Sequence, residues 1–328
     1  MNTTATLIVI CLFIIGCSHY QISKKGISIP NKPGKYPKVT EENRLRGELT
    51  PYRTCYDVSF YDLDIELDIE EKSISGNCQI HARALTSFDT LQVDLFKNME
   101  ILSIQINNEN STFYRKHNAV FIETPRVEKG DNFEISIQYE GVPIKAKNPP
   151  WDGGFVWKKD QNGNPFIGVA CEGIGASSWW PNKDHPSDEP DSARLSITVP
   201  DTLIAVGNGQ LESINNTDST ATFTWLVQNP INNYNITLNI GDYVIISDTL
   251  INSSGVQKLN HYVLSYNEET AQRYFPQVRE VIHFFEKVFG EYPFWKDGYK
   301  LVETPYAGME HQSAIAYGNG YTTSGYYY

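Results

Sequence analysis

A mainly β chain, with a long antiparallel domain first and a helix-bearing segment after it, is what this sequence predicts. Three observations carry that reading. Short runs alternate apolar and polar residues from Tyr52 to about residue 246. Tyr is abundant, at 20 residues, and Met scarce, at 3, which favours sheets over helical bundles. The spacing then turns helical after Asn267.

Composition bounds the rest. The chain has 328 residues, 40% hydrophobic and 20% charged, which is globular and enough for about two domains. Its formal net charge is −12 and it holds no Lys/Arg block, which excludes a nucleic-acid binder.

The order of elements follows from local pattern. Residues 7–15 are apolar but too few to span a bilayer as a helix, and a small residue and Cys17 follow them. This is a secretory signal. Ile14-Ile15-Gly16-Cys17 resembles a bacterial lipobox, in which Cys17 takes the lipid, although residues 1–6 hold no Lys or Arg. A plain cleaved signal with an incidental Cys is the other reading. Either implies export, and lipidation implies an anchor in the bacterial envelope, on the periplasmic side or at the cell surface. Residues 18–50 carry Lys24, Lys25, Pro30, Pro33, Pro37 and Lys38 with little apolar periodicity, and read as a flexible tether.

Strands begin past Tyr52. Leu63, Ile65, Leu67 and Ile69 alternate with Asp62, Asp64, Glu66 and Asp68, giving one dry face and one solvated acidic face. Further strands are expected at 76–82, 91–95, 101–106, 119–122, 133–139, 195–199, 203–206, 222–226, 235–240 and 244–246. Asn162-Gly163-Asn164-Pro165 marks a turn between two more. After Asn267, the positions of Tyr274, Phe275, Val278, Val281, Ile282, Phe285 and Val288 are helical. Asn267 suits the start, Gly290 the stop, and Pro276 a break in the first turns. A strand over 299–304 follows. The organisation expected is signal 1–17, tether 18–50, β domain 51–262 and a second domain begun over 263–328.

Outside the signal region the cysteines are Cys55, Cys78 and Cys171, without CxxC spacing. Neither a disulfide framework nor a zinc ribbon is indicated, and a Cys55–Cys78 bridge is permitted.

Two Gly-rich segments carry the chemistry. One runs Gly168-Val169-Ala170-Cys171-Glu172-Gly173-Ile174-Gly175 and continues from Trp179 through Asp188-Glu189-Pro190-Asp191. The other is Pro305-Tyr306-Ala307-Gly308-Met309-Glu310-His311-Gln312, leading to Tyr317-Gly318. Glycine permits close approach of backbone to a ligand, and a carboxylate in such a setting wants a cation. That cation is either a ligand or an Arg or Lys of the fold.

Ala307-Gly308-Met309-Glu310-His311 resembles the Gly-x-Met-Glu-Asn exopeptidase motif of the aminopeptidase N family, the gluzincin zinc aminopeptidases. Ala307 stands where the first Gly usually is, and His311 where Asn usually is. Glu172 falls where that family places a second substrate-binding acid or amide, and Asp188-Glu189-Pro190 matches the Asp-Glu-Pro that follows. The resemblance implies a saddle-like β-sandwich domain, then the start of a thermolysin-like α+β catalytic domain. It implies a Zn2+-dependent peptidase that removes N-terminal residues from peptides. Glu172 and Glu310 would hold the substrate ammonium by charge-assisted hydrogen bonds, and the Gly308–Met309 backbone would pair with an extended substrate. His311 would be a supporting residue.

Such an enzyme takes zinc from His-Glu-x-x-His and a later Glu. None of the seven His begins that motif. The expectation is therefore a fragment that holds no zinc, has no catalytic residue of its own and hydrolyses nothing alone. Two other readings stand beside it: a peptide-binding lipoprotein, and a carbohydrate-binding lipoprotein with an aromatic platform from Trp151, Trp157, Trp179 and Trp180.

Overall fold

The structure, a computed structural model, describes residues 38–321 and, before them, the pairing of Ile22–Ser23 with Gly26–Ile27. Apart from that pairing, the expected signal, Cys17 and residues 18–37 lie outside the described residues, as do 322–328. Residues 1–40 and 41–328 form separate units, and the hydrophobic core belongs to the second.

Alternation builds the largest sheet. In Tyr56–Asp68, Leu63, Ile65 and Leu67 are buried while Asp64, Glu66 and Asp68 are exposed. A bulge between Val58 and Phe60 shifts the phase, so Tyr56 and Val58 are also inside. On the acidic face Asp62 pairs with Arg194 at 3.1 Å. Eight strands lie side by side in the order Gln210–Asn216, Thr220–Val227, Ser192–Pro200, Tyr56–Asp68, Ser73–Ala84, Asn132–Gly141, Met99–Ile106 and Glu109–Asn110. All neighbours are antiparallel except Ser192–Pro200 against Tyr56–Asp68, which is parallel.

Two smaller antiparallel sheets complete this part. One orders Gly154–Lys159, Pro165–Ala170, Leu238–Gly241 and Ile204–Gly207; the other orders Phe88–Asp94, Ala119–Val127 and Phe113–Lys116. The core includes Trp179 and Trp180, which are fully buried, with Trp180 edge-on to Tyr61 at 4.9 Å. Trp179 and Trp180 are therefore not available to the expected aromatic platform, while Trp151 is exposed. The large apolar area of the buried pair is spent on packing.

The third region is a four-stranded sheet. Tyr243–Asn252 and Gly255–Leu264 form a hairpin; Lys300–Glu303 and Ala314–Tyr317 then join in parallel. The parallel crossover carries helices Glu268–Tyr274 and Pro276–Phe289, which bury Ala271, Phe275, Val278 and Ile282. Pro276 does break the helix and Gly290, at φ 97°, ends it. Asn267 precedes the first helix but makes no side-chain cap; its amide donates to Glu303 instead, at 2.6 Å.

Two expected boundaries move. Position 262/263 falls inside strand Gly255–Leu264, which pairs with strands on both sides. The helical pattern was the visible signal, yet the sheet carrying those helices already begins at Tyr243. Within the expected tether, residues 41–50 are folded rather than flexible. They hold helix Glu41–Gly47, and Pro51–Thr54 follows as a second turn of helix. Arg53, fully buried, fixes this strap: it donates to Asp94 at 2.6 Å and to the carbonyls of Arg46 and Glu48. Gln92 donates to the Leu45 carbonyl at 3.0 Å. Tertiary hydrogen bonds, not apolar periodicity, order the segment. Cys55, Cys78 and Cys171 are buried free thiols, so the permitted bridge is absent.

Candidate functional site

Glu172 leaves the end of strand Pro165–Ala170 on a tight loop. Gly175 N–H donates to the Cys171 carbonyl and Ile174 N–H to that of Glu172, each at 2.8 Å. The loop needs glycine. Gly175 has φ 91°, and a Cβ there would lie 2.3 Å from the Asp184 carboxylate. Beyond it the Trp179 indole donates to Cys171 Sγ at 3.1 Å.

Glu310 arrives from the other segment. Met309 and Ala316 bridge antiparallel, with both Met309 backbone groups engaged at 3.3 and 2.9 Å. Met309 is also buried. It has no backbone group left for an added strand, which corrects the expectation for that residue. Alternate residues of an antiparallel pair face opposite edges. Gly308 thus turns its N–H and C=O the other way, where they have no partner among the described residues. Gly318 admits the close return of chain, since a Cβ there would overlap the Tyr306 carbonyl.

The two segments are tied across the fold. Tyr306 donates its hydroxyl to the Val169 carbonyl at 3.1 Å, and Lys158 donates to the Pro305 carbonyl at 2.6 Å. Asn208 donates to the Gln312 carbonyl at 2.6 Å. As a result Glu172 and Glu310 line one open cavity of about 720 Å³, with Tyr234, Asn233, Asp184 and Arg46. The Tyr234 hydroxyl donates to Glu310 at 3.4 Å. Burial first, then the carboxylate charges of Glu310 and Glu172, push the Tyr234 phenol above its ordinary range. Among the described residues neither glutamate is in an ion pair. The ion-pair reading left open by the sequence is therefore not what the structure shows. Two solvent-facing carboxylates beside an acceptor-rich wall suit a small cation that brings N–H donors.

Asp188 does something different. It pairs with Lys183 at 2.5 Å, both buried, and Lys183 also donates to the Tyr56 carbonyl at 2.6 Å. Asp188 thus anchors the strand start. Glu189 is exposed and lines a second cavity of about 630 Å³ that also touches Glu310 and His311. His311 is fully buried with neither ring nitrogen partnered among the described residues, and burial pushes it down to about 3. It is neutral, so it adds no charge to the site.

Sequence reasoning missed Tyr234 and Arg46. The Asn-rich run around Tyr234 is a weak polar-wall signal; nothing local marks Arg46. A zinc centre needs three or four converging N, S or O ligands. Among the described residues no three His, Cys, Asp or Glu converge to hold a metal. These residues do not fit zinc.

What the fold and cleft define is a β domain joined to an α+β segment, with an acidic pocket between their two signature loops. The family model for the Peptidase M1 N-terminal domain matches residues 58–234, more than half of the chain. This chain belongs to the M1 peptidase family. Among solved structures it is similar to the M1 zinc metallopeptidase from Deinococcus radiodurans, at 18% identity and TM-score 0.70, covering 80% of this chain and 60% of that one. A point mutant of that enzyme bound to a Tyr-Ser-Ala substrate matches at 18% and 0.70, covering 82% and 62%. A two-domain M1 zinc metallopeptidase mutant bound to L-tryptophan matches at 18% and 0.70, covering 82% and 61%. At that identity the likeness shows the fold alone, and the chain spans about 60% of the length of these structures. No curated protein matches it in sequence.

Proposed function

We propose that this chain captures the free N-terminus of peptides, as the substrate-anchoring part of an exported zinc-dependent aminopeptidase. The observation that carries this is the convergence of Glu172 and Glu310, neither ion-paired, on one cavity. A peptide α-ammonium, with an ordinary pKa near 8, is charged at neutral pH. Each charge-assisted hydrogen bond to a carboxylate is worth about 1.5–3 kcal/mol. Anchoring the terminus sets the distance of the first peptide bond from a reacting centre, which restricts cleavage to one residue at a time. The open backbone edge at Gly308 suits an extended substrate. Hydrolysis needs a zinc site that the described residues do not compose, so binding without turnover is this chain's expected behaviour.

The test is calorimetric titration at pH 7 with L-tryptophanamide and its N-acetyl derivative. The free amine should bind and the blocked one should not. Glu310→Gln should weaken the first by roughly tenfold or more, the equivalent of one charge-assisted bond. Equal affinity for both ligands would sink the reading.

The location is proposed on the Ile14-Ile15-Gly16-Cys17 motif: envelope-attached through lipid on Cys17. Fatty-acid metabolic labelling should mark the wild-type chain and not Cys17→Ser. Label retained in the variant would refute lipidation at Cys17.

A further inference from the structure

We infer that Arg46 is a positioning residue for Glu172, and that the strap of residues 41–53 is part of the amine-binding apparatus. This rests on the amine-anchor reading above. It concerns a segment before residues 58–234, the stretch matched by the family model.

The loop that carries Glu172 has little of its own to hold it. Its internal bonds are the two short backbone turns from Gly175 and Ile174. Gly173, at φ 74°, has no atom within 4 Å of where a Cβ would stand, so packing does not restrain it. From outside, Ile174 packs on the core and Gly153 lies against Ile174 and the Glu172 carbonyl, while the side-chain hydrogen bonds to the carbonyls of residues 172–174 come from one guanidinium. Arg46 Nη2 donates to the Gly173 carbonyl at 2.5 Å and to the Ile174 carbonyl at 2.6 Å. Among the described residues no other side chain bonds a carbonyl of residues 172–174. These are the two residues that follow Glu172, so the clamp limits how far its Cα can swing.

Arg46 is itself held from behind. Arg53 donates to its carbonyl at 2.7 Å and to Asp94 at 2.6 Å, while Asp94 accepts the Asp184 N–H at 3.2 Å. Asp184 in turn accepts from the Ser177 hydroxyl and N–H. One hydrogen-bonded network thereby places the strap, the guanidinium and the far side of the Glu172 loop together. Both bonds from Arg46 come from Nη2, whose N–H groups are fixed in the guanidinium plane; a lysine ammonium could reach these carbonyls but without that fixed plane.

The charge of Arg46 makes the proposal separable from simple electrostatics. A cation lining the cavity repels an ammonium ligand. If Arg46 acted by charge alone, its removal would tighten binding of a free amine. If it positions Glu172, its removal weakens binding.

The experiment uses the full 328-residue chain with L-tryptophanamide, its N-acetyl derivative, and amide hydrogen exchange across residues 171–176. Arg46→Ala should weaken L-tryptophanamide by about tenfold, with no effect on the blocked ligand. Arg46→Lys should recover part of the loss. Exchange at Ile174 and Gly175 should speed about tenfold in Arg46→Ala and stay unchanged in Arg126→Ala, an exposed arginine outside the strap that pairs with Glu128. Arg46 is exposed, so the melting temperature should hold. Unchanged or tighter amine binding in Arg46→Ala, or unchanged loop exchange, would overturn the inference. If wild-type chain itself does not distinguish free from blocked amine, the anchor reading fails and this inference with it; accelerated exchange in Arg46→Ala would then report a loop clamp without that function.

Discussion

Arg53→Met should cost about 3–5 kcal/mol of unfolding free energy, the largest loss expected from any single substitution considered for this chain. Arg53 is fully buried, its partner Asp94 is nearly so, and they meet at 2.6 Å. Burial pushes the Asp94 carboxyl up to about 6, outweighing the downward pull of Arg53. The ion pair therefore sits in a costly environment and adds little net stability while intact. Removing one member is another matter. Asp94 would keep its desolvation without its counter-charge, and the carbonyls of Arg46 and Glu48 would lose their donor. Urea unfolding at pH 7.5 checks this through the midpoint at unchanged slope. A loss under about 1 kcal/mol would mean that water reaches the pair, contrary to its burial.

Acid should unfold the chain through two histidines. His311 is pushed down to about 3 and His261 to about 4, in both cases by burial. His261 is a ring buried against Phe275, with Nδ1 accepting from Leu301 N–H at 3.0 Å. The folded pKa values lie below the unfolded value of about 6.5. Between those limits the unfolded chain binds more protons, so the stability present above pH 6.5 is lost as pH falls towards 4 and 3. With both sites contributing, the slope is about 2–3 kcal/mol per pH unit below 6.5. Asp94 and Glu303, raised by burial, work in the opposite sense. The difference between variants isolates the histidine term. His311→Asn should make the acid limb shallower by about half, read as urea midpoints from pH 7.5 to 5. A parallel limb in the variant would show that His311 is already solvated.

How much of this was legible depended on how local the cause was. Strand Tyr56–Asp68 was readable because each Asp or Glu is followed by an apolar residue, and burial follows that alternation. The break at Pro276 was readable because a missing N–H acts on its own helix. The hairpin Tyr243–Asn252 with Gly255–Leu264 was only half readable. Its exposed positions include Ile245, Ile251 and Val256, which blur the pattern. The strap of residues 41–53 was misread because its order comes from Gln92, Asp94 and the loop after Glu172, all distant in the chain.

The site divides in the same way. Glu172, Gly308 and Glu310 stood out by residue type in Gly-rich surroundings, and the family resemblance supplied their roles. That the two carboxylates line one cavity, with Tyr234 on Glu310, depends on segments separated by 137 residues meeting through Tyr306 and Val169. Sequence by itself determined the mainly β class, the helix after Asn267 and the two acidic loops, since those follow from side-chain period, turn chemistry and glycine. Only the tertiary structure decided that Met309 is consumed by Ala316, that His311 is a buried neutral ring, and that Arg46 grips the Glu172 loop. Those outcomes rest on which hydrogen-bonding groups meet across the folded chain, and no local period encodes such meetings.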